Sequence, residues 1–273
     1  MPELPEVETV ARSLRARVLG RVVTSTLRSS KPLRRPLSAT QLASLRGATI
    51  TTVERHAKYL LVHTSSGRSL VGHLGMSGQM LVRPRGEARP PHTHAVLELD
   101  GVDELWFVDP RRFGQLSVVA TDRLAARPEL AALGPDPFSA RFTIDFLVEE
   151  LRGRRAPLKS VLLDQRVFAG MGNIYVAEAL FRARLSPRRA AAGLSRAQIA
   201  ALHSATLAVL EQGIANRGTS ISDYVDVNGQ VGDNESFLQV YGRAGEPCVV
   251  CGAPIARLVQ SGRSTFFCRR CQR

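Results

Sequence analysis

Residues 248–271, CVVCGAPIARLVQSGRSTFFCRRC, contain all the cysteines of the chain: Cys248, Cys251, Cys268 and Cys271. Two C-x2-C pairs separated by sixteen residues are typical of a tetrahedral zinc site, because each pair forms a tight knuckle that presents two sulfurs. The alternative is a pair of disulfides in a secreted protein. It is disfavoured because the N-terminal sequence MPELPEVETV does not resemble a signal peptide. We therefore expect one structural Zn²⁺ that stabilises a small β-hairpin and takes no part in catalysis.

Upstream of the zinc segment, the hydrophobic spacing is helical. It predicts helices over 143–152, 158–165, 173–184 and 196–216. The stretch 217–236, RGTSISDYVDVNGQVGDNES, has no firm period, and a loop of that length is usually functional or mobile. Residues 134–142, which contain two prolines and a glycine, are predicted to be a linker.

The first half of the chain has a different pattern. One helix is predicted over 3–19, where apolar residues recur at helical spacing. Short β-branched or alternating segments, separated by Gly, Pro and Ser, then predict strands at 48–53, 59–64, 69–74, 94–99, 104–109 and 115–120. The fold class is therefore predicted to be α+β: an N-terminal antiparallel β-sandwich with a leading helix, then a helical domain that ends in the zinc-stabilised hairpin.

The charge of the chain indicates a polyanionic partner. The formal net charge is +13, and only three of the 37 basic residues are lysines. Codon bias toward arginine explains the scarcity of lysine, but it does not by itself create an excess of cations over carboxylates. Nucleic acid is the partner that this excess favours. No apolar run is long enough to cross a membrane, so we expect a cytoplasmic protein with no membrane partner.

The N-terminus carries a candidate nucleophile. If Met1 is removed, Pro2 has a free secondary amine, which titrates far below a lysine and is nucleophilic near neutral pH. Glu3 and Glu6 begin the predicted helix three residues apart, so both can face Pro2. One carboxyl would protonate a sugar ring oxygen while the other moves protons. The alternative is that both glutamates only interact with the helix dipole.

Several motifs together resemble the formamidopyrimidine-DNA glycosylase family, whose relatives include the endonuclease VIII type. In chain order the motifs are PELPEVET (2–9), ERHAKYLL (54–61), GHLGMSG (72–78), DPRRFG (109–114), LLDQ (162–165), GMGNIY (170–175), VYGRAGEPC (240–248) and GRSTFFCRRC (262–271). The resemblance runs from one end of the chain to the other and leaves no unmatched domain.

The resemblance implies roles for particular residues. Pro2 resembles the nucleophile, and Glu3 and Glu6 resemble its acid and base. Lys58 resembles a lysine that contacts a phosphate beside the lesion and supports catalysis; without the family it would be taken for a solvated strand-edge lysine. Lys159 resembles a lysine implicated in the processing of damaged purines, which implies a direct contact with the DNA.

The resemblance also implies a set of DNA contacts. An enzyme that excises a base must remove it from the stack and fill the gap. Met76 and Phe113 resemble the apolar wedge residues, although loop packing and core packing are the simpler alternatives. Arg111 resembles the arginine that pairs with the orphaned cytosine. The implied phosphate contacts are Arg112, Asn173, Tyr241 and Arg263; Asn173 could instead be only a helix N-cap.

These observations predict a domain organisation. We expect a catalytic sandwich at 1–133, a linker at 134–142, a helix–two-turn–helix DNA-binding domain at 143–239 and a zinc finger at 240–273, with DNA in a basic cleft between the domains. The loop 217–236 would cover the flipped base. It departs from the family, which often has an aromatic residue shortly after the second glycine of this loop, whereas Asp233 and Asn234 follow Gly232 here.

The predicted function is base-excision repair of oxidised purines, such as 8-oxoguanine and formamidopyrimidines, in damaged double-stranded DNA. Pro2 would form a Schiff base, and β/δ elimination would cut the abasic site. We expect a bacterial, nucleoid-associated monomer with no obligate protein partner. The alternatives are a glycosylase specific for oxidised pyrimidines and a DNA-binding protein without activity, which would have no need of Pro2, Glu3, Glu6 and Lys58 together.

Overall fold

A computed structural model describes residues 1–221 and 223–273. They form two compact units. The first unit comprises Met1–Ala131 and Asn216–Glu235, and the second comprises Ala132–Ala215 and Ser236–Arg273. In the described residues, no helix is both long and apolar enough to cross a membrane.

The first unit opens with helix α1, Leu4–Val18, close to the predicted 3–19. Pro5 occupies the first turn, where its missing N–H costs no hydrogen bond. The side chain of Glu6 accepts a hydrogen bond from the amide of Glu3, which caps the helix start. The apolar face that the spacing predicted is buried and forms part of the main core of this unit.

Two antiparallel four-stranded sheets follow, in the orders β1-β6-β7-β5 and β2-β3-β4-β8. Buried side chains from both sheets share one hydrophobic core with α1, so the predicted sandwich is confirmed. The strands are β1 Val23–Arg28, β2 Ile50–His56, β3 Tyr59–Thr64, β4 Arg68–His73, β5 Gln79–Pro84, β6 Thr93–Leu99, β7 Asp103–Val108 and β8 Gln115–Ala120. Short helices α2, Ala39–Ala43, and α3, Pro128–Ala131, and a 3₁₀ turn, Thr121–Arg123, complete the region.

The sequence analysis missed strands β1 and β5, which lie at the two ends of one sheet. β1 is rich in Ser and Thr, and β5 ends at Pro84, which lacks the N–H of a central ladder. The polar residues of β1 and the proline of β5 therefore weakened the strand signal in these two stretches. The outer side of β5 is paired nevertheless, because the Val82 amide donates to the Val227 carbonyl at 2.9 Å.

The segment that contains Val227 also differs from the predicted domain organisation. The sequence analysis assigned 217–236 to the second domain, whereas the structure packs 216–235 with the first unit. The amide of Thr219 donates to Glu6 at 2.8 Å, and the Gln79 side chain donates to the Asp223 carbonyl at 2.6 Å. Tyr224 and Val227 are part of the first unit's core. The chain thus returns to the sandwich after its long helix, which no local pattern could indicate. The other predicted boundaries stay predictions.

The second unit is helical, as predicted. It contains α4 Ile144–Leu151, α5 Leu158–Leu162, α6 Asn173–Arg182 and α7 Arg196–Ala215, with a 3₁₀ turn at Ala191–Gly193. Another 3₁₀ turn, Asn234–Phe237, lies where the chain passes from the first unit to the second. α5 is shorter than the predicted 158–165. Past its end, the carboxylate of Asp164 accepts the amide of Arg166 at 3.0 Å and so favours a turn over a further helical residue.

The chain ends in the predicted hairpin, formed by β9, Ala256–Gln260, and β10, Arg263–Phe267. Its two-residue turn needs positive φ at both positions, and Ser261 and Gly262 adopt 49° and 72°. The cysteine knuckles pack in one apolar cluster with Ala177 and Phe181 of α6. The zinc segment is therefore part of the second unit rather than a loose appendage.

Candidate active site and nucleic-acid contacts

The start of α1 brings the predicted catalytic groups together. Pro2, Glu3 and Glu6 are all buried, while Met1 is 47% exposed. Burial is the main reason that the pKa of the Met1 amine is lowered; the charges of Glu3 and Glu6 oppose this shift, and that of Lys58 adds to it. A lowered pKa leaves more of an amine unprotonated and nucleophilic at neutral pH.

The two glutamates differ in their surroundings. Both carboxylate oxygens of Glu6 accept backbone amides, one from Glu3 and one from Thr219, each at 2.8 Å. These two bonds fix the Glu6 carboxylate and link α1 to the 216–235 segment, which gives Glu6 a positioning role. Glu3 is part of the same capping box at the start of α1.

Lys58 lies between β2 and β3 with only 5% of its surface exposed. It acts on a neighbour that the sequence analysis did not single out. Burial, with a smaller contribution from the charge of Lys58, lowers the pKa of His73 from 6.5 to about 4. His73 Nδ1 accepts the amide of Gly75 at 3.0 Å, and the imidazole is therefore neutral at physiological pH. Its place within GHLGMSG was the only available signal.

The two predicted lesion-probing turns are locked together. Asp109 is fully buried, and its carboxylate accepts both the Ser77 hydroxyl and the Gly114 amide, each at 2.6 Å. The Ser77 oxygen in turn accepts the amide of Arg111 at 3.2 Å. A Cβ built on Gly75, whose φ is +63°, would lie 2.5 Å from the Gly114 nitrogen. The turns touch backbone to backbone, and only glycine permits this approach.

These turns expose the side chains that the sequence analysis predicted to probe DNA. Met76 is 40% exposed and Phe113 is 39% exposed, so neither is a core residue. The guanidinium of Arg111 lies 5.3 Å from the centre of the Phe113 ring, within cation–π range. Arg112 is exposed, has a positive φ of 56°, and closes the turn by donating its amide to the Asp109 carbonyl at 3.3 Å. The structure thus brings the predicted wedge residues and both arginines to neighbouring turns of the first unit.

In the second unit, Asn173 and Lys159 meet at the zinc hairpin. Asn173 is the first residue of α6, and its cap is Gly172. Its Nδ2 donates to the Ser264 carbonyl at 3.0 Å, while its Oδ1 is buried without a hydrogen-bond partner. The Lys159 ammonium donates to the same carbonyl at 2.8 Å and to Thr265 Oγ1 at 2.7 Å.

Lys159 is only 1% exposed. The direct contact with DNA that the resemblance implied is not supported by this position, because its ammonium is directed into the interior, toward β10. The residue instead ties α5 to the hairpin strand that starts at Arg263. Arg263 itself is exposed beside the hairpin turn, where the sequence analysis placed it.

Tyr241 is partly buried, and its ring packs edge-on against Phe266 with the ring centres 5.2 Å apart. Its backbone is fixed by Glu178 of α6, whose carboxylate accepts the amides of Gln239, Val240 and Tyr241 at 2.9, 3.0 and 2.9 Å. Burial raises the pKa of Glu178, and the three amides oppose that shift. The sequence analysis missed Glu178, because a glutamate within a helix carries no local signal of such a partner.

The four cysteines form one cluster, with all sulfurs within 4.8 Å of one another. The Cys248 and Cys271 sulfurs are 3.9 Å apart, and those of Cys251 and Cys268 are 3.5 Å apart. Tetrahedral zinc with bonds of about 2.3 Å requires sulfur–sulfur distances of roughly 3.8 Å. The donor set and its spacing therefore fit zinc.

Comparison with known proteins agrees with this geometry. The sequence matches the formamidopyrimidine-DNA glycosylase N-terminal domain over 1–116, the formamidopyrimidine-DNA glycosylase H2TH domain over 133–225, and a zinc finger found in FPG and IleRS over 245–273. This chain belongs to the formamidopyrimidine-DNA glycosylase family. The Gluconobacter oxydans member is 46% identical over 277 residues, covering 100% of both chains, and the Moorella thermoacetica member is 48% identical over 268 residues, covering 94% of each.

Solved structures show the same fold. The MutM (FPG) protein from Thermus thermophilus is 42% identical, with a TM-score of 0.89 over 99% of this chain and 98% of that one. Lactococcus lactis Fpg bound to DNA containing N7-benzyl-Fapy-dG gives a TM-score of 0.91 at 34% identity, covering 99% of both chains. The same protein bound to oxidised-pyrimidine DNA gives 0.91 at 33% identity, also covering 99% of both.

Membership of this family makes the chain an enzyme, a bifunctional DNA glycosylase and abasic-site lyase. The zinc-finger match and the sulfur cluster together establish one structural zinc held by the four cysteines. Within the first unit, the residues predicted for catalysis and for lesion probing lie on α1, on the β2–β3 turn and on the two locked turns.

Proposed function

We propose that the protein excises oxidised purines from duplex DNA with Pro2 as the nucleophile. The observation that carries this proposal is the set of charges that act on the N-terminal amine. Glu3, Glu6, Lys58 and Arg111 all act on that group, and burial lowers its pKa. A protein that only binds DNA has no need of a partly buried amine on which two carboxylates act. After removal of Met1, the amine would belong to Pro2.

In the proposed reaction, the Pro2 nitrogen attacks C1′ of the damaged nucleotide as the glycosidic bond breaks. The departing base takes the bonding pair and a proton. Protonation of the sugar ring oxygen by one of the two glutamates, Glu3 or Glu6, opens the ring and gives an iminium between Pro2 and C1′. The iminium accepts the electron pair that remains when C2′ loses a proton, and the 3′-phosphate leaves. A further elimination releases the 5′-phosphate.

The remaining predicted contacts support recognition of the lesion. Met76 and Phe113 would fill the gap left by the extruded base, and Arg111 would pair with the orphaned cytosine. Their exposure on two locked turns supports this role, because insertion into DNA needs side chains on a rigid backbone. Arg112 would contact a phosphate beside the lesion, and the buried Lys58, whose charge acts on the N-terminal amine, would support the chemistry of Pro2.

The second unit would add contacts to the DNA backbone. Asn173, Tyr241 and Arg263 are the proposed phosphate ligands. The Nδ2 of Asn173 donates to the Ser264 carbonyl, and this bond orients its amide. The 216–235 segment would cover the flipped base, and its attachment to Glu6 would couple that cover to the catalytic end of α1.

Borohydride trapping tests the proposal. The substrate is a duplex with one 8-oxoguanine opposite cytosine, and the expected product is a covalent protein–DNA adduct that disappears in Pro2→Gly. Pro5→Ala is the matched control, because it removes a proline from the same helical turn and leaves the terminal amine intact.

Phe113→Ala should impair excision of 8-oxoguanine more than cleavage of a pre-formed abasic site.

A second candidate substrate class is oxidised pyrimidines, favoured by the Lactococcus lactis relative that was solved with such DNA. Trapping on oxidised-pyrimidine DNA but not on 8-oxoguanine would establish this class in place of purines. No adduct on either duplex, with mass spectrometry showing Pro2 at the terminus, would leave a DNA-binding protein without activity. A monomeric state and a cytoplasmic, nucleoid-associated location stay predictions.

A further inference from the structure

An open cavity of about 600 Å³ lies in the second unit, beside the second cysteine knuckle. One wall is the segment after α6, and the other is the chain around the last two cysteines. Its lining residues are Ser186, Arg188, Arg189, Phe267, Arg269 and Gln272. Three of the six are arginines and none carries a carboxylate, a composition that suits an anion.

The cavity has a rigid floor. Gln272, only 3% exposed, donates through Nε2 to the Leu185 carbonyl at 2.9 Å and accepts the amide of Cys268 at 2.9 Å. The Ser186 amide donates to a backbone carboxylate oxygen of Arg273, the last residue, at 3.1 Å. The bonds to Leu185 and from Ser186 join the two walls, and the bond from Cys268 fixes Gln272 against the cysteine knuckle.

The arginines of the cavity are not paired with side-chain carboxylates. In the described part of the chain, neither Arg188 nor Arg269 forms an ion pair, and both are exposed. Arg189 is partly buried and donates to the Gly193 carbonyl, which orients its guanidinium without cancelling its charge. Three guanidiniums around one cavity repel one another unless an anion lies between them, and planar guanidiniums match the oxygens of a phosphate.

We propose that this cavity is a second anion site, which binds a phosphate group separately from the contacts proposed for the lesion. The phosphate belongs either to the backbone of the DNA strand or to a free phosphate compound. If the phosphate is that of the DNA strand, this proposal rests on the proposed DNA substrate. If it is a free phosphate compound, the proposal does not depend on that substrate.

The first experiment uses inorganic pyrophosphate and the full-length, zinc-loaded protein at low salt. Arginine Nε–Hε NMR signals report on each guanidinium. The signals of Arg188, Arg189 and Arg269 should shift with pyrophosphate. In the double variant Arg188→Gln/Arg269→Gln, the Arg189 shift should need about tenfold more pyrophosphate or disappear, since two charge-assisted contacts are lost. The control Arg141→Gln/Arg155→Gln removes the same charge from exposed sites of the same unit that do not line the cavity.

The second experiment identifies the source of the phosphate. DNA affinity is measured against salt on a long duplex and on one just long enough to surround the lesion. If the site binds the DNA backbone, the slope of log affinity against log salt falls by about 0.9 for each lost phosphate contact, and only on the long duplex. Equal slopes in the variant and the control, together with lost pyrophosphate binding, assign the site to a free phosphate compound.

Pyrophosphate binding that is the same in the cavity variant and the control overturns the proposal. Borohydride trapping on the short duplex is measured in parallel. Failure of trapping in the unmodified protein would count against Pro2 chemistry and leave the pyrophosphate result standing, so the two proposals fail independently.

Discussion

Lys159→Met tests whether this lysine holds the zinc hairpin or acts on the damaged base. The variant keeps the aliphatic stem but removes the ammonium that donates to the Ser264 carbonyl and to Thr265 Oγ1. We expect lower stability of the second unit and weaker binding of every DNA duplex, damaged or not. The reason is that the strand carrying Arg263 loses its tie to α5.

The expected magnitude follows from two opposing effects. Each charge-assisted hydrogen bond contributes about 1.5–3 kcal/mol, and the variant loses two. Removing a buried ammonium also relieves a desolvation cost of several kcal/mol, although the Thr265 hydroxyl loses a partner. The Ser264 carbonyl keeps the bond from Asn173. We therefore expect a net loss of about 1–3 kcal/mol, or a fall in Tm of roughly 3–10 °C.

The assay is thermal unfolding with zinc present, followed by parallel measurements of 8-oxoguanine excision and abasic-site cleavage. Lys31→Met is the matched control, since Lys31 is an exposed lysine of the first unit. Thr265→Val combined with Lys159→Met should show a coupling energy above about 0.5 kcal/mol. A Lys159→Met protein with unchanged Tm that loses only excision of 8-oxoguanine would refute a structural role and restore the role in processing damaged purines.

Three further predictions concern the two locked turns, the buried histidine and the zinc. Gly75→Ala should lower lesion excision at least tenfold, because its Cβ would strike the Gly114 nitrogen at 2.5 Å; Gly67→Ala, with a φ of +69° and no atom within 4 Å, should keep activity. In His73→Asn the new amide oxygen can still accept the Gly75 amide. This variant should lose less of its free energy of unfolding than the unmodified protein when the pH falls from 6.5 to 4. Removal of zinc with a chelator should lower Tm and weaken DNA binding, whereas the exchange of zinc for cadmium should preserve both.

The sign of the pH effect follows from the lowered pKa of His73, about 4 against 6.5. Between these values the unfolded chain binds a proton that the folded chain does not, so stability falls as the pH drops. This pKa shift contributes at most about 3 kcal/mol to the free energy of unfolding, and the contribution is fully lost below pH 4. Urea unfolding at pH 7 and pH 5 measures it, and an equal pH dependence in His73→Asn would exclude His73 as the source. For Gly75→Ala, unchanged excision would show that the turns tolerate separation.

Local spacing determined much of the fold and of the site. The C-x2-C pairs predicted the zinc cluster, and helical periodicity predicted α1 and the four main helices of the second unit. Six of the eight sandwich strands followed from short β-branched or alternating segments separated by Gly, Pro and Ser. The group of Pro2, Glu3 and Glu6 lies within one helical turn, so the chain brings these residues together without any distant contact. All these features depend on residues that are close in sequence, which is why the sequence by itself determines them.

The tertiary structure decided what depends on distant partners. The Glu6–Thr219 bond joins residues 213 positions apart and moves 216–235 from the predicted second domain into the first unit. The burial of Lys159 depends on a strand 105 residues away, so its sequence context suggested a DNA contact instead. Edge strands β1 and β5 form because neighbouring strands supply hydrogen-bond partners and not because of their own side-chain pattern. Hydrophobic periodicity records which face of a segment is buried, but it does not record which other segment buries it.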